Sequence, residues 1–101
     1  MLDICRYISY YSNIMIDYEK NSELLKALAH PIRLQMVEGL MNHECNVNKI
    51  VARLKLPQST ISQHLGLLKM RGIVQLRKEG TKACYRVINP RVIELMKLLS
   101  K

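Results

Sequence analysis

The feature that most constrains this chain is the stretch from Leu56 to Gly72, which reads LPQSTISQHLGLLKMRG. Its apolar residues recur at a spacing of three and four, which places them on one buried face of a helix: Ile61, Leu65, Leu68 and, on the flank, Leu67. The opposite side carries short polar and amide side chains: Gln58, Ser59, Thr60, Ser62, Gln63 and His64. Such side chains can hydrogen-bond to base edges in a major groove without adding a large charge. The stretch therefore has the pattern of a recognition helix.

The charge of the chain is concentrated in the same half as this helix. The 101 residues have a formal net charge of +8 and are enough for one domain. Residues 1–48 carry four basic and six acidic side chains, whereas residues 49–101 carry twelve basic and two acidic ones. A solvated basic face is the plain interpretation of such an excess. Beside a recognition helix, it favours a nucleic-acid partner that meets the second half.

Three further helices are expected before this stretch. The first runs from Ser22 to His30 and buries four residues: Leu24, Leu25, Ala27 and Leu28. Pro31 opens the second, because the first turn of a helix does not use the amide hydrogen that proline lacks. The third is expected over Val47–Leu54 with Asn46 as its N-cap. Joined by a short turn to the recognition helix, it forms a helix-turn-helix over residues 47–71.

After Gly72 the apolar residues alternate with polar ones, which is typical of short strands. A β-hairpin is expected over residues 73–88, in which two runs of alternating apolar residues bracket a polar tip: Val74 and Leu76, then Ala83, Tyr85 and Val87. Its turn is expected at Glu79 and Gly80. The tip is strongly basic, as a wing that contacts DNA would be.

The two ends of the chain are rich in apolar residues. Residues 1–20 form an arm or helix, and two interpretations stay open: it packs on its own core or across a partner subunit. Residues 90–101 are expected to form a helix that is apolar almost all round, more than a monomer would bury. The predicted fold is thus a single domain over residues 1–101, mainly α with a small β-hairpin wing, that dimerises through its N- and C-terminal helices.

Two segments of the sequence together resemble a known family: LLKALAHPIRLQMVEGL and LKLPQSTISQHLGLLKMRGIVQLRKEGTKACYRV. Over about residues 22–88 they are similar to the ArsR/SmtB family of small winged-helix bacterial repressors. The resemblance implies a homodimer that binds double-stranded DNA at an inverted-repeat operator and is released by an inducer, which the sequence does not identify.

The predicted DNA-binding residues fall into two groups. Base contact is expected from the front of the recognition helix and from one turn further on: Gln58, Ser59, Thr60, Ser62 and Gln63. His64 is expected to bridge a phosphate. Contact with phosphates and the minor groove is expected from basic side chains: Lys69, Arg77, Lys78 and Lys82, with Arg71 and Lys55 as further candidates. Two alternatives stay open, because Ser59 can cap its own helix and His64 can hydrogen-bond within the protein.

Neither metal site of the resembled family is present. Where the family has a Cys-x-Cys pair, this chain has Asn46 and Asn48, whose neutral amides are poor ligands for soft metals. The last helix has no His or Asp, and Glu94 stands alone. The chain is therefore placed in the branch without metal sites, which includes the PagR-type repressors, and no cofactor is expected.

The three cysteines are Cys5, Cys45 and Cys84, and they are interpreted as unpaired thiols in a reducing cytoplasm. A thiol site formed by Cys5 and Cys45, with or without His43, is the alternative for a redox-responsive or metal-responsive repressor.

Other function classes are disfavoured. The sequence has no glycine-rich phosphate loop and no grouping of nucleophile, base and acid, so an enzyme is not expected. No apolar run approaches the roughly 20 residues that span a bilayer, which favours a cytoplasmic protein without a membrane partner. A winged helix that binds RNA or another protein is the remaining alternative.

Overall fold

The structure is a computed structural model that describes residues 15–42 and 47–100. In chain order its elements are α1 (Tyr18–Leu28), α2 (Pro31–Asn42), α3 (Val47–Leu54), α4 (Gln58–Met70), β1 (Val74–Glu79), β2 (Lys82–Val87) and α5 (Pro90–Leu99). The predicted class, helical with one hairpin, is confirmed. The predictions for residues 1–14 and for Asn46 as an N-cap lie outside the described residues.

Helix α1 begins four residues earlier than expected from the sequence. The Asp17 side chain accepts a hydrogen bond of 3.0 Å from the backbone N–H of Lys20, so it caps a helix that starts at Tyr18. The helix ends at Leu28, before the predicted end at His30. The expected burial of Leu25 is wrong, because that side chain is 53% exposed. Leu28 and Ala27 are buried, and Leu24 packs against the core.

The core is aliphatic and centres on α2 and α4. Its fully buried side chains are Met36, Val37, Leu40, Ile61, Leu68, Ile73, Val74 and Val92. The predicted inner face of α4 is confirmed, since Ile61, Leu65 and Leu68 are all buried and Leu67 is half-buried. Because this face packs against the core, the polar side of α4 faces outward.

Gly72 ends α4 in the way its position predicted. Its φ is +72°, in the left-handed region that glycine enters without steric cost. The N–H of Gly72 donates to the Lys69 carbonyl at 3.0 Å, and the N–H of Ile73 donates to the Leu68 carbonyl at 2.9 Å. These two bonds form a Schellman motif, which turns the chain directly into β1.

The hairpin pairs β1 and β2 antiparallel, with Leu76 opposite Tyr85 and Glu79 opposite Lys82. Its two-residue loop is Gly80–Thr81, so the turn lies one residue later than predicted, and Gly80 supplies the positive φ of +63°. Ala83 is exposed and the neighbouring Cys84 is buried.

Helix α5 has a strong start and an exposed end. Asn89 accepts hydrogen bonds from the backbone N–H groups of Arg91 and Val92, and Pro90 occupies the first turn. Val92 is buried, whereas Leu98 and Leu99 are 79% and 59% exposed. The apolar surplus predicted for this helix therefore lies on the surface of the single chain.

Gly39 lets α2 approach α3, and alanine at this position is expected to destabilise the protein. A Cβ atom added there would lie 2.9 Å from Cγ1 of the buried Ile50 side chain. We expect Gly39→Ala to lower the free energy of unfolding by about 1 to 2 kcal/mol, because overpacking outweighs the gain in helix propensity. Gly66→Ala is the matched control, since its Cβ would meet nothing within 4 Å. Gly66→Ala should raise the free energy of unfolding by about 0.5 to 1 kcal/mol, measured by urea denaturation. A Gly39→Ala variant that is also more stable would contradict the close packing of α2 on α3.

Candidate nucleic-acid interface

The polar side of α4 forms a continuous exposed surface. Four of the predicted residues, Gln58, Ser59, Ser62 and Gln63, are exposed, and Thr60 is half-buried. Pro57 occupies the N-cap position and no side chain caps the helix, so the alternative role of Ser59 as a cap is not observed. The first turn contains no acidic residue that would oppose a phosphate at the positive end of the helix dipole.

The turn of the helix-turn-helix is short and depends on one unusual residue. Lys55 follows α3 directly and has a φ of +54°, in the left-handed region. Its backbone N–H donates to the Val51 carbonyl at 3.1 Å, which closes the end of α3. The exposed Lys55 side chain therefore lies between the two helices, close to the start of α4.

The hairpin register separates basic side chains that the sequence had grouped together. Successive residues of a strand point to opposite faces. Arg77 and Glu79 lie two residues apart on β1 and so share a face. Lys82 pairs with Glu79 and therefore lies on the same face as Arg77. Lys78 lies on the other face, which also carries Leu76, and it is closer to the tip than Leu76 is. All three side chains are exposed, so the wing presents positive charge on both faces.

Sequence reasoning missed Arg86, which is also exposed and pairs with Gln75 on the same face as Arg77. The alternation of the strands was the signal that could have found it. Lys49 and Arg53 are exposed on α3, the first helix of the helix-turn-helix. These residues widen the candidate interface beyond the predicted set.

His64 lies in a cluster within the protein. Its ring centroid is 4.8 Å from that of His30, at an interplanar angle of 54°. Its Nδ1 lies 3.4 Å from Nη1 of Arg33, whose Nε donates to the Ala27 carbonyl. His30 Nδ1 in turn accepts a hydrogen bond of 3.1 Å from the backbone N–H of Ile32. The cluster ties the middle of α4 to the start of α2.

The environment of His64 makes its protonation unfavourable. Burial lowers the pKa of its imidazole below the ordinary value of 6.5, and the charges of His30 and Arg33 lower the pKa further. The folded protein therefore releases this proton at a lower pH than the unfolded chain does.

Acid is accordingly expected to destabilise the protein through His64. As the pH falls below about 6.5, the unfolded chain binds the proton first, so the free energy of unfolding decreases until the lower folded pKa is reached. We expect His64→Gln to flatten this pH dependence in urea denaturation between pH 7.5 and pH 5. The exposed Ser62→Ala on the same helix should keep the slope of the unchanged protein. An equal slope in His64→Gln and the unchanged protein would show that other groups cause the dependence.

The two basic residues at the end of α4 differ in their surroundings. Lys69 is exposed. Arg71 forms an ion pair with α1, in which its Nη2 lies 3.0 Å from Oε2 of Glu23. The structure thus gives Arg71 a partner within the protein, which the sequence did not indicate.

The expectation of three unpaired thiols is wrong for Cys84. This buried residue of β2 is disulfide-bonded. The predicted thiol-site residues Cys5 and Cys45 lie outside the described residues. Within residues 15–42 and 47–100, no three His, Cys, Asp or Glu side chains come together in a way that could hold a metal ion. Over the same part of the chain, no helix has the length and apolar character to cross a membrane.

Helices α3 and α4, the turn between them and the basic hairpin define a winged helix-turn-helix protein. Residues 30–75 match the family model described as bacterial regulatory protein, arsR family. The transcriptional repressor PagR of Bacillus anthracis is 46% identical over 84 residues, which span 81% of this chain and 83% of PagR. The chain therefore belongs to the arsR family of bacterial regulatory proteins, as the sequence motifs indicated.

Solved structures agree with this assignment. The crystal structure of PagR matches with a TM-score of 0.74 at 42% identity, over 82% of this chain and 95% of that one. HlyU from Vibrio cholerae matches with a TM-score of 0.77 at 36% identity, over 85% and 94%. The homodimeric winged helix-turn-helix DNA-binding domain of Mb0332 from Mycobacterium bovis matches with a TM-score of 0.72 at 33% identity, over 81% and 76%. PagR is a transcriptional repressor, and HlyU of Vibrio cholerae is a transcriptional activator.

Proposed function

We propose that this protein is a homodimeric repressor that binds an inverted-repeat operator in duplex DNA and acts in the cytoplasm. One observation carries the proposal: the polar face of α4 is exposed beside a hairpin whose two faces both carry basic side chains. A helix of this kind fits the major groove, and a basic wing beside it reaches the neighbouring backbone. The repressor role is supported by the similarity to PagR.

Each part of the interface has a separate task in this proposal. Gln63 and Gln58 have amide groups that can pair with the N6 and N7 positions of adenine, and the hydroxyl groups of α4 serve bases or phosphates. Lys69 and the basic residues of the wing neutralise phosphates. His64 positions α4 through its cluster with His30 and Arg33, in addition to any contact with DNA.

In the proposed dimer, the second copy of the chain supplies the recognition helix for the second half-site of the operator. Leu25 of α1 and Leu98 of α5 are 53% and 79% exposed, and they line an apolar depression of about 520 Å³ together with Leu24, Pro90 and Leu95. A second copy of the chain would remove this surface from water and would place two recognition helices one helical turn of DNA apart. The homodimeric Mb0332 domain supports this arrangement.

The test is a gel-shift experiment with the promoter of the protein's own operon, against a scrambled duplex and an RNA of equal length. We expect salt-dependent binding that prefers the promoter DNA. Equal affinity for all three nucleic acids, or none for any of them, would refute the proposal and favour a protein-binding winged helix. Cadmium, zinc and arsenite are expected to leave binding unchanged, because the family's metal-binding residues are replaced by Asn46 and Asn48.

A further inference from the structure

One ion pair connects helix α1 to the end of the recognition helix. Oε2 of Glu23 lies 3.0 Å from Nη2 of Arg71, and the two side chains are 44% and 38% exposed. Arg71 is the C-cap residue of α4, and its backbone N–H donates to the Leu67 carbonyl at 3.1 Å. Glu23 therefore holds the residue at which the recognition helix ends.

Several contacts already hold α4 in the protein. Ile61, Leu65 and Leu68 pack against the core, and the Schellman bonds join the end of the helix to the buried Ile73. No side chain caps its first turn, and the His64 cluster contacts its middle. The Glu23–Arg71 pair adds a contact with α1 at the C-terminal end of α4. A small displacement at this end changes the angle of the helix more than one at its middle.

Helix α1 is itself tied to the rest of the protein on both sides of a cleft. The cleft has a volume of about 850 Å³ and lies between α1, the end of α4 and the start of α5. On one side Glu23 binds Arg71, and on the other Nη1 of Arg91 donates to Oδ1 of Asn21 at 2.8 Å. The two bridges span the cleft and set where α1 lies relative to both helices.

The same helix carries part of the proposed dimer surface. Leu25, two residues beyond Glu23, is exposed and lines the apolar depression between α1 and α5. Operator binding requires the two recognition helices of a dimer to have a defined separation and orientation. Within the described part of the chain, the Glu23–Arg71 pair joins the proposed dimer-forming helix directly to the end of the recognition helix.

We propose that Glu23 is a positioning residue for DNA reading, which sets the angle of α4 relative to the dimer surface through its ion pair with Arg71. Arg71 acts within this pair and does not serve as a phosphate contact. The inference rests on the operator binding proposed above.

Paired variants test the proposal, because a positioning role and a phosphate-contact role predict different changes in operator affinity. Glu23→Gln and Arg71→Gln change the net charge in opposite directions, yet both break the pair. We expect each to weaken binding of the dimer to its operator about five-fold, since an exposed ion pair contributes little by itself and occurs twice in a dimer. The exchanged variant Glu23→Arg with Arg71→Glu should return to within about two-fold of the unchanged protein.

Lys26 offers a matched control. Its Nζ lies 3.6 Å from Oε1 of the same Glu23, but this contact stays within α1. Lys26→Gln is expected to leave operator affinity unchanged. Fluorescence anisotropy with operator and scrambled duplexes at several salt concentrations measures all four variants, and sedimentation confirms that each remains a dimer.

A different pattern would overturn the inference while leaving the proposed function intact. If Glu23→Gln keeps or raises operator affinity, and Arg71→Gln weakens binding to all duplexes with a smaller salt slope, then Arg71 is a phosphate contact. If the unchanged protein shows no preference for any operator, the proposed function fails instead. Hydrogen exchange of the free protein then still decides the positioning role. The amides of Arg71 and Gly72 should exchange about two- to five-fold faster in Glu23→Gln than in Lys26→Gln, and equal rates would refute it.

Discussion

Leu68→Ala is expected to lower the free energy of unfolding by about 3 to 5 kcal/mol, the largest effect of any single substitution discussed for this protein. Leu68 is fully buried at the end of α4, and its carbonyl accepts the Schellman bond from Ile73. Shortening the side chain leaves a cavity that the surrounding core fills only in part. Small domains have a total stability of about 5 to 15 kcal/mol, so much of the margin would be lost.

Urea denaturation at one fixed protein concentration measures this effect, because the stability of a dimer depends on concentration. Met70→Ala is the matched control on the same helix, since Met70 is 74% exposed. Its effect should stay within about 0.5 kcal/mol. Similar losses in the two variants would contradict the inward orientation of Leu68.

Gln63→Ala is expected to reduce discrimination between the operator and other sequences by about 5- to 150-fold for each half-site, because one amide pair with adenine contributes about 1 to 3 kcal/mol. Gln63 is exposed on the polar side of α4. Its amide carries no charge, so binding to scrambled DNA should change little. Anisotropy titrations with both duplexes measure the ratio of the two affinities.

Lys78→Ala provides the contrast. Lys78 is exposed near the tip of the wing. In the proposed complex, a cation there would bind a phosphate and add affinity without reading bases. The variant should weaken binding to both duplexes alike and lower the salt slope by about two per dimer. If Gln63→Ala reduces binding to all sequences equally, Gln63 positions the protein on the backbone and does not read bases.

Most of the fold could be predicted from the sequence because local patterns determined it. The spacing of Ile61, Leu65 and Leu68 identified the buried face of α4, and Gly72 identified its end. Pro31 and Pro90 each mark the first residue of a helix. The turn of the hairpin was misplaced by one residue, since Glu79 still pairs with Lys82 in the strands. Turn positions depend on strand register, which sequence alone defines less sharply than periodicity.

The candidate site was only partly predictable. The exposed face of α4 followed from the same periodicity that located the core. The partners of its polar side chains did not, because they come from residues far apart in the chain. His64 meets Arg33 across 31 positions, and Arg71 meets Glu23 across an even longer separation.

The sequence by itself determined the elements of a winged helix-turn-helix, the side of α4 that faces away from the core, and the half of the chain that carries positive charge. These properties depend on periodicity, on turn residues and on composition, which are local. Only the tertiary structure decided that Arg71 is paired with Glu23, that His64 lies against His30, and that Lys78 lies on a different face of the wing from Arg77. The physical reason is that ion pairs and ring contacts depend on how helices and strands approach in space, and no pattern along the chain encodes that approach.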